Sequence, residues 1–237
     1  MKPATASIKA FDARDFVIAN GTLEGLKLLA LALMTIDHIN KYLFKGASVT
    51  MFNMGRLAFP IFAFVLAYNL ARPGALHNGS TWRILKRLAG FGVLASPVFI
   101  ALGGLIDGWW PLNIMLTFAL GVGVVALSAA GGIGNIFAAG AAFVVGGALV
   151  EFWWPGVAVF FLAWSYCRWP TLAHLLLLTL ASASLVIING NYWAVAAVPV
   201  VMAARYVDLP IARHRFLFYA YYPAHLAAIW LVRHYFF

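Results

Sequence analysis

Nine apolar runs, each close to the length of a membrane-spanning helix, follow one another along this chain. Short turn-like or charged stretches separate them, and they cover residues 23–44, 55–71, 84–105, 111–129, 133–150, 152–167, 171–189, 191–205 and 216–236. A helix needs about 20 apolar residues to cross the hydrocarbon core of a bilayer. Only 10% of the 237 residues are charged, whereas a soluble domain carries about 25%. The sequence therefore predicts an all-α fold, a polytopic transmembrane helical bundle of about nine spans.

The basic residues cluster in short connections on one predicted side of the bundle. The second connection and the helix start that follows it contain no acid and four cations, namely Arg72, Arg83, Lys86 and Arg87. Cytoplasmic loops are enriched in Lys and Arg, so we expect the N-terminus to be inside the cell. This loop pattern explains the net charge of +9 without a nucleic-acid partner, and the bilayer is the expected surrounding. Residues 1–22 are predicted to be a polar cytoplasmic segment and residues 23–237 one transmembrane domain.

The first apolar run carries four ionisable side chains, which are Lys27, Asp37, His38 and Lys41. A charged group inside a span costs about 2.5–3.5 kcal/mol on insertion scales and is by default a functional candidate. Eleven positions separate Lys27 from His38, which is about 16 Å and three helical turns, so both share one helix face. Such a pair could engage two parts of a long molecule. The structural alternative is that Lys27 extends to the interface and His38 is a hydrogen-bonded bundle residue.

Further polar residues in the second and last runs extend this pattern. Arg56 and Asp37 both lie toward the outer ends of their runs, and we expect them to pair. His225 and Tyr222 lie in the last run, and a second intramembrane histidine favours a polar pocket shared with His38. Neither histidine has a partner at metal-ligand spacing, so no metal site is expected.

The loop cations allow a second interpretation besides topology. Arg72, Arg83, Lys86 and Arg87, together with Arg213 and Arg215, would surround the inner mouth of a pocket headed by Lys27. Arginine and lysine side chains recognise phosphate, so a phosphate-bearing cofactor would be attracted there. Membrane orientation alone predicts the same residues.

Three sequence blocks carry a family resemblance. They are LK followed by MTIDHIN within residues 26–40, GRLAFPIF at 55–62, and FY followed by YPAHL within 218–226. Their order and spacing resemble the TraX family, inner-membrane proteins that acetylate the N-terminus of F-type conjugative pilin. The arrangement of Lys27, ten residues and His38 also resembles the core motif of a larger membrane acyltransferase superfamily, which moves acetyl groups from cytosolic acetyl-CoA across the bilayer.

The resemblance implies an acetyltransferase of the bacterial inner (cytoplasmic) membrane. Acetyl-CoA would be the donor, and the acceptor would be the α-amino group of a membrane-embedded pilin subunit. His38 would act as general base, because the pKa of imidazole is near neutral. His225 and Tyr222 would polarise the thioester carbonyl or relay protons, and Asp37 would orient the site directly or through Arg56. The expected cofactor-binding residues are Lys27, Arg56, Arg83, Lys86 and Arg87.

Other functions remain compatible with the same residues. One is a membrane O-acetyltransferase that acts on a cell-envelope glycan hydroxyl, and another is a non-catalytic pilin assembly factor or small transporter. A transporter more often shows broken helices in symmetric halves, and no such symmetry is visible. Direct transfer and a covalent acetyl-histidine intermediate are both compatible with these residues.

Overall fold

The computed structural model describes residues 16–77, 79–104, 106, 108–214 and 216–236. The helices within these ranges are α1 (Asn20–Tyr42), α2 (Val49–Gly55), α3 (Ala58–Ala71), α4 (Ser80–Ala101), α5 (Ile114–Ala130), α6 (Ile133–Ala141), α7 (Trp153–Arg168), α8 (Leu172–Ser184), α9 (Val186–Asn189), α10 (Ala197–Ala203) and α11 (Leu217–Phe236). A π-helical turn, Ala142–Gly146, continues α6, and 3₁₀ turns at Trp193–Ala196 and Ala204–Tyr206 flank α10. Among the described residues, strand-type pairing is limited to one isolated bridge between Leu112 and Val150. The predicted all-α class is therefore confirmed.

Helix is present in each of the nine predicted apolar runs. By length and composition, three helical segments can cross a bilayer, namely Val49–Ala71, Ser80–Ala101 and Leu172–Asn189. Shorter apolar helices cover Ile114–Ala130, Ile133–Gly146 and Trp193–Tyr206. α1 is as long as the first group but carries Glu24, Lys27, Asp37 and Lys41. These helices indicate a membrane protein, while nine crossings and an inside N-terminus stay predictions.

α3 is the central helix of the bundle. It is apolar around most of its circumference, and its buried residues occur on every side, as expected for a helix enclosed by others. α1, α7 and α10 pack against it, while α4 packs against α5 and α11. By contrast, α6 and its π-helical continuation lie at the periphery, with Ala139 their only buried residue. The centre of the bundle is therefore formed around α3, next to α1.

Polar side chains define the starts of two helices. Ser48 Oγ accepts a hydrogen bond from the Met51 N–H (3.3 Å) and begins α2, a short helix that the apolar runs did not predict. Asn113 Oδ1 accepts from the Met115 N–H (3.1 Å) at the start of α5. The Asn113 amide also donates to the Gly92 carbonyl (2.9 Å), which fixes the start of α5 against α4.

Two of the described residues just before α1 pack into the bundle. Phe16 and Ile18 are buried, and the Phe16 ring lies 5.1 Å from the ring of Tyr166 in α7. The Ile18 N–H donates to the Tyr68 hydroxyl in α3 (2.9 Å). Most of the predicted N-terminal segment 1–22 lies outside the described residues, and its last part contacts α3 and α7.

The connection between α10 and α11, residues 207–214, is fastened to the start of α1. Thr22 Oγ1 donates to the Val207 carbonyl (2.6 Å) and accepts from the Leu209 N–H (3.3 Å). Glu24 Oε1 accepts from the His214 N–H (3.0 Å). Because these bonds join distant parts of the sequence, they place the start of α11 beside α1.

We expect Gly21→Ala to destabilise the protein. A Cβ at Gly21 would overlap the Leu209 carbonyl oxygen, so the connection would have to move off α1. Overpacking of this kind costs about 1–3 kcal/mol. Thermal unfolding of the purified protein in detergent would measure the loss.

Gly123→Ala is the matched control for this substitution. Gly123 lies inside α5, and a Cβ there would meet nothing within 4 Å. Alanine is favoured over glycine inside a helix by about 1 kcal/mol, so this variant should be as stable as the parent or more stable. An equal loss in both variants would contradict the proposed overlap at Gly21.

Candidate functional site

α1 presents Lys27 and His38 to two different cavities. The helix is continuous from Asn20 to Tyr42, so the predicted spacing of about 16 Å and three turns applies. Lys27 lines one cavity, of about 320 Å³, and His38 lines another, of about 380 Å³. The two residues therefore mark two sites along one helix.

The cavity at His38, called here the histidine cavity, contains most of the predicted catalytic residues. Its ionisable lining residues include Asp37, His38, Lys41, Arg56, Glu151 and Tyr222. Aromatic rings from α3, α5 and α11 line much of the remainder. His225 contacts His38 directly. The structure thus brings together all four residues predicted to be catalytic.

His38 and His225 form a hydrogen-bonded pair. Nδ1 of His38 lies 2.7 Å from Nε2 of His225, and the two rings are nearly parallel, at 4°. Nδ1 of His225 lies 2.9 Å from the Tyr221 carbonyl oxygen, which can only accept, so this nitrogen carries a proton. With both rings neutral, Nε2 of His225 then accepts from the Nδ1–H of His38. The remaining nitrogen of His38, Nε2, consequently has a free lone pair.

The free nitrogen of His38 is suited to accept a proton. Within the described part of the chain, Nε2 of His38 makes no hydrogen bond, and His38 lines the cavity. Tyr222 lies beside the pair, with its ring 5.5 Å from that of His225. The Tyr222 hydroxyl can donate a hydrogen bond to a ligand oxygen. The arrangement combines a base with a hydrogen-bond donor.

Asp37 is paired with Arg56, as the sequence predicted. The two side chains form an ion pair, and each is 14% exposed. Nη1 of Arg56 also donates to Oδ1 of Asn189 (3.2 Å), and its guanidinium lies over the Phe52 ring. A Cβ at Gly55 would overlap the Asp37 side chain. The pair therefore fixes α1 against the junction of α2 and α3.

Lys41 and Glu151 complete the charged lining of the histidine cavity. The Nζ of Lys41 donates to the Gly104 carbonyl (3.0 Å), while Arg56 pairs with Asp37, one turn from Lys41 on α1. Glu151 lies in the connection before α7, outside the helices. Burial raises the pKa of its carboxyl group to about 7. This carboxyl group can therefore gain or lose a proton near neutral pH.

The cavity at Lys27, called here the basic cavity, is lined by the cations Lys27, Arg83, Arg87 and Arg213. Arg83 and Arg87 are one turn apart on α4, so they share a face. Arg213 comes from the α10–α11 connection, which the bonds to Thr22 and Glu24 hold in place. The cavity therefore concentrates positive charge from three parts of the chain.

Two predicted cofactor-binding residues lie elsewhere. Lys86 is exposed and extends over the Trp82 ring, because it lies about 100° around α4 from Arg87. Arg56 lines the histidine cavity and not the basic cavity. Lys27, Arg83 and Arg87 are the three predicted residues that meet in one place.

Two acidic residues were not predicted as site residues: Glu151, which lines the histidine cavity, and Glu24, which contacts Lys27 of the basic cavity. Glu24 forms an ion pair with Lys27 and is buried. Their spacing of three positions on one helix was the available signal. Glu151 lies between two predicted apolar runs, and nothing in its local sequence indicates that it reaches a cavity.

Comparison with known proteins identifies the family. The family described as TraX protein matches residues 22–233. Two relatives named Protein TraX, from Escherichia coli and from Escherichia coli strain K12, are each 35% identical over 100 residues. That region covers 42% of this chain and 37% of each relative, so the chain aligns with well under half the length of either. No solved structure matches the chain at a significant level. Because the family match spans nearly the whole sequence, the chain belongs to the TraX family.

Proposed function

We propose that this protein transfers the acetyl group of acetyl-CoA to the N-terminal amine of a conjugative pilin subunit. The observation that carries the proposal is the free Nε2 of His38, which lies on the same helix as Lys27, one of the four cations that line the basic cavity. A base and a phosphate site about 16 Å apart suit a long donor with phosphates at one end and a thioester at the other. The family resemblance supplies the pilin amine as the acceptor.

The basic cavity fits the phosphate end of the donor. Arg83 and Arg87 present planar guanidinium groups, which bind phosphate oxygens in pairs. Arg213 adds a third guanidinium from the facing connection. Glu24 partly neutralises Lys27, so the arginines would provide most of the attraction for phosphate. Lys27 would add a weaker contact from α1.

The acetyl transfer would take place in the histidine cavity. Acetyl-CoA supplies a thioester carbonyl that an amine can attack. The amine nitrogen bonds to the carbonyl carbon while Nε2 of His38 takes a proton from that nitrogen, and the carbon–sulfur bond breaks. His225 stabilises the charged His38 ring by accepting its Nδ1–H. His38 then returns the proton to the departing CoA sulfur.

Two further residues support this step. Tyr222 lines the histidine cavity, and its hydroxyl would donate to the carbonyl oxygen as negative charge develops on that oxygen. Asp37 acts at a distance, because its carboxylate is bound by Arg56 and its role is to hold α1 in place. Asp37 is therefore a positioning residue in this mechanism, and His38 is the base.

Intact-mass spectrometry of the cognate pilin, expressed with and without this protein, tests the proposal. The parent should add the mass of one acetyl group to the pilin, at its N-terminus. Combined Arg83→Gln and Arg87→Gln substitution should raise the KM for acetyl-CoA by roughly a hundredfold or more, since each lost hydrogen bond to a charged group contributes about 1.5–3 kcal/mol.

Lys86→Gln is the matched control, because it removes a cation from the same helix outside the basic cavity. Its KM should stay at the parental value. Unchanged pilin mass with the parent protein would exclude pilin as the acceptor and favour a glycan acceptor or an assembly role. An equal rise in KM in Lys86→Gln would mean that the overall positive charge of the protein, and not the basic cavity, attracts the donor.

A further inference from the structure

The histidine cavity and the basic cavity share a wall. Phe62 and Phe218 line both of them. Their ring centroids are 4.7 Å apart, and the rings are inclined at 49°. The two cavities therefore meet at this pair of aromatic rings.

Three helices hold the pair in position. Phe62 lies in α3 and is 5% exposed, while Phe218 lies at the start of α11. The ring of Phe118, from α5, is 6.4 Å from that of Phe62 and 6.1 Å from that of Phe218. Packing among α3, α5 and α11 thus defines the place at which one cavity ends and the other begins.

We infer that the Phe62–Phe218 pair forms the passage through which the thioester arm of the donor reaches His38. This inference rests on the proposed function, and it adds the route that the thioester arm takes between the two cavities. A ligand with phosphates at the basic cavity and a reacting carbonyl at His38 must cross between the cavities. The two rings stand where the cavities adjoin.

The chemistry of the pair suits the uncharged arm. A chain of methylene and amide groups can pass between the two aromatic faces when the rings, which are in contact, move apart, whereas phosphate cannot leave its arginine partners for this apolar passage without a large desolvation cost. The rings would thus retain the phosphates in the basic cavity while the thioester enters the histidine cavity. They would also limit the entry of water from one cavity to the other.

Phe62→Trp and Phe218→Trp test the passage through binding. In the parent, acetyl-CoA should bind more tightly than adenosine 3′-phosphate 5′-diphosphate, which keeps all three phosphates of CoA and lacks the arm. In each tryptophan variant the two affinities should become equal, because the larger ring blocks the arm and leaves the basic cavity intact. Phe137→Trp, on the exposed face of α6, is the control and should keep the parental difference.

The same variants should transfer acetyl at least a hundredfold more slowly, since a reacting group displaced by only about 1 Å already costs about that much. Parental transfer rates in both tryptophan variants would overturn the passage while leaving the proposed function standing. A parent protein that binds neither compound and acetylates nothing would instead refute the proposed function.

A cysteine probe gives a second measurement that needs no activity. Cys167 is the only cysteine in the chain, so Phe62→Cys on a Cys167→Ser background carries one thiol at the passage. Acetyl-CoA should slow its alkylation by a small thiol reagent, and adenosine 3′-phosphate 5′-diphosphate should not. Equal protection by the two compounds, or none by either, would overturn the inference.

Discussion

Replacing His38 by alanine is expected to lower acetyl transfer to pilin by about a hundred- to ten-thousandfold, the contribution of a positioned general base. The loss follows from the geometry of the pair, since Nε2 of His38 is the nitrogen left free when Nδ1 bonds to His225. A time course of pilin mass under saturating acetyl-CoA would measure the rate. Donor affinity should stay near the parental value, because the basic cavity does not include His38.

His234→Ala is the control for this substitution. His234 is exposed near the end of α11 and stacks on the Trp230 ring, away from both cavities. Its transfer rate should match that of the parent. A His38→Ala protein that acetylates at the parental rate would refute the assignment of His38 as the base.

Separate removal of Arg56 or Asp37 is expected to produce the largest loss of stability. Arg56→Ala or Asp37→Ala leaves the partner charge unpaired in a largely apolar setting, which costs about 3–5 kcal/mol for a buried pair. Arg56 additionally holds Asn189, so its removal also loosens α9. Thermal unfolding of the detergent-solubilised protein would show the loss as a lower midpoint temperature.

The double variant Asp37→Leu with Arg56→Met separates pairing from packing. It removes both charges and keeps apolar volume, so its midpoint should lie closer to the parent than either single variant does. Lys86→Met, an exposed cation on α4, should leave the midpoint nearly unchanged. Additive losses from the two single substitutions would contradict the coupling between Asp37 and Arg56.

The sequence predicted the features that depend on one helix at a time. Apolar length predicted helix in all nine runs, and a period of 3.6 residues placed Lys27 and His38 on one face of α1. The Asp37–Arg56 pair was also predictable, because both charges were placed toward the same side of the bilayer. The position of Lys86 outside the basic cavity was not predictable, since a loop-charge pattern does not specify which face of α4 turns inward.

Contacts between distant helices were not predictable in the same way. His38 and His225 are 187 positions apart, and helical periodicity does not state which helices pack together. The same limit applies to Phe62 and Phe218, which resemble any other apolar residues of their runs. Glu151 reaches the histidine cavity from a connection, and its position depends on how α7 is placed against α3.

The assembly of both cavities from α1 and α11 has a consequence for synthesis. The ribosome makes α1 early and α11 late, yet the histidine cavity needs Tyr222 and the basic cavity needs Arg213. A nascent chain whose first ten helices have left the ribosome therefore has neither cavity complete. Chains that terminate before α11 would lack both complete cavities, so the synthesis of α11 is the step that completes them.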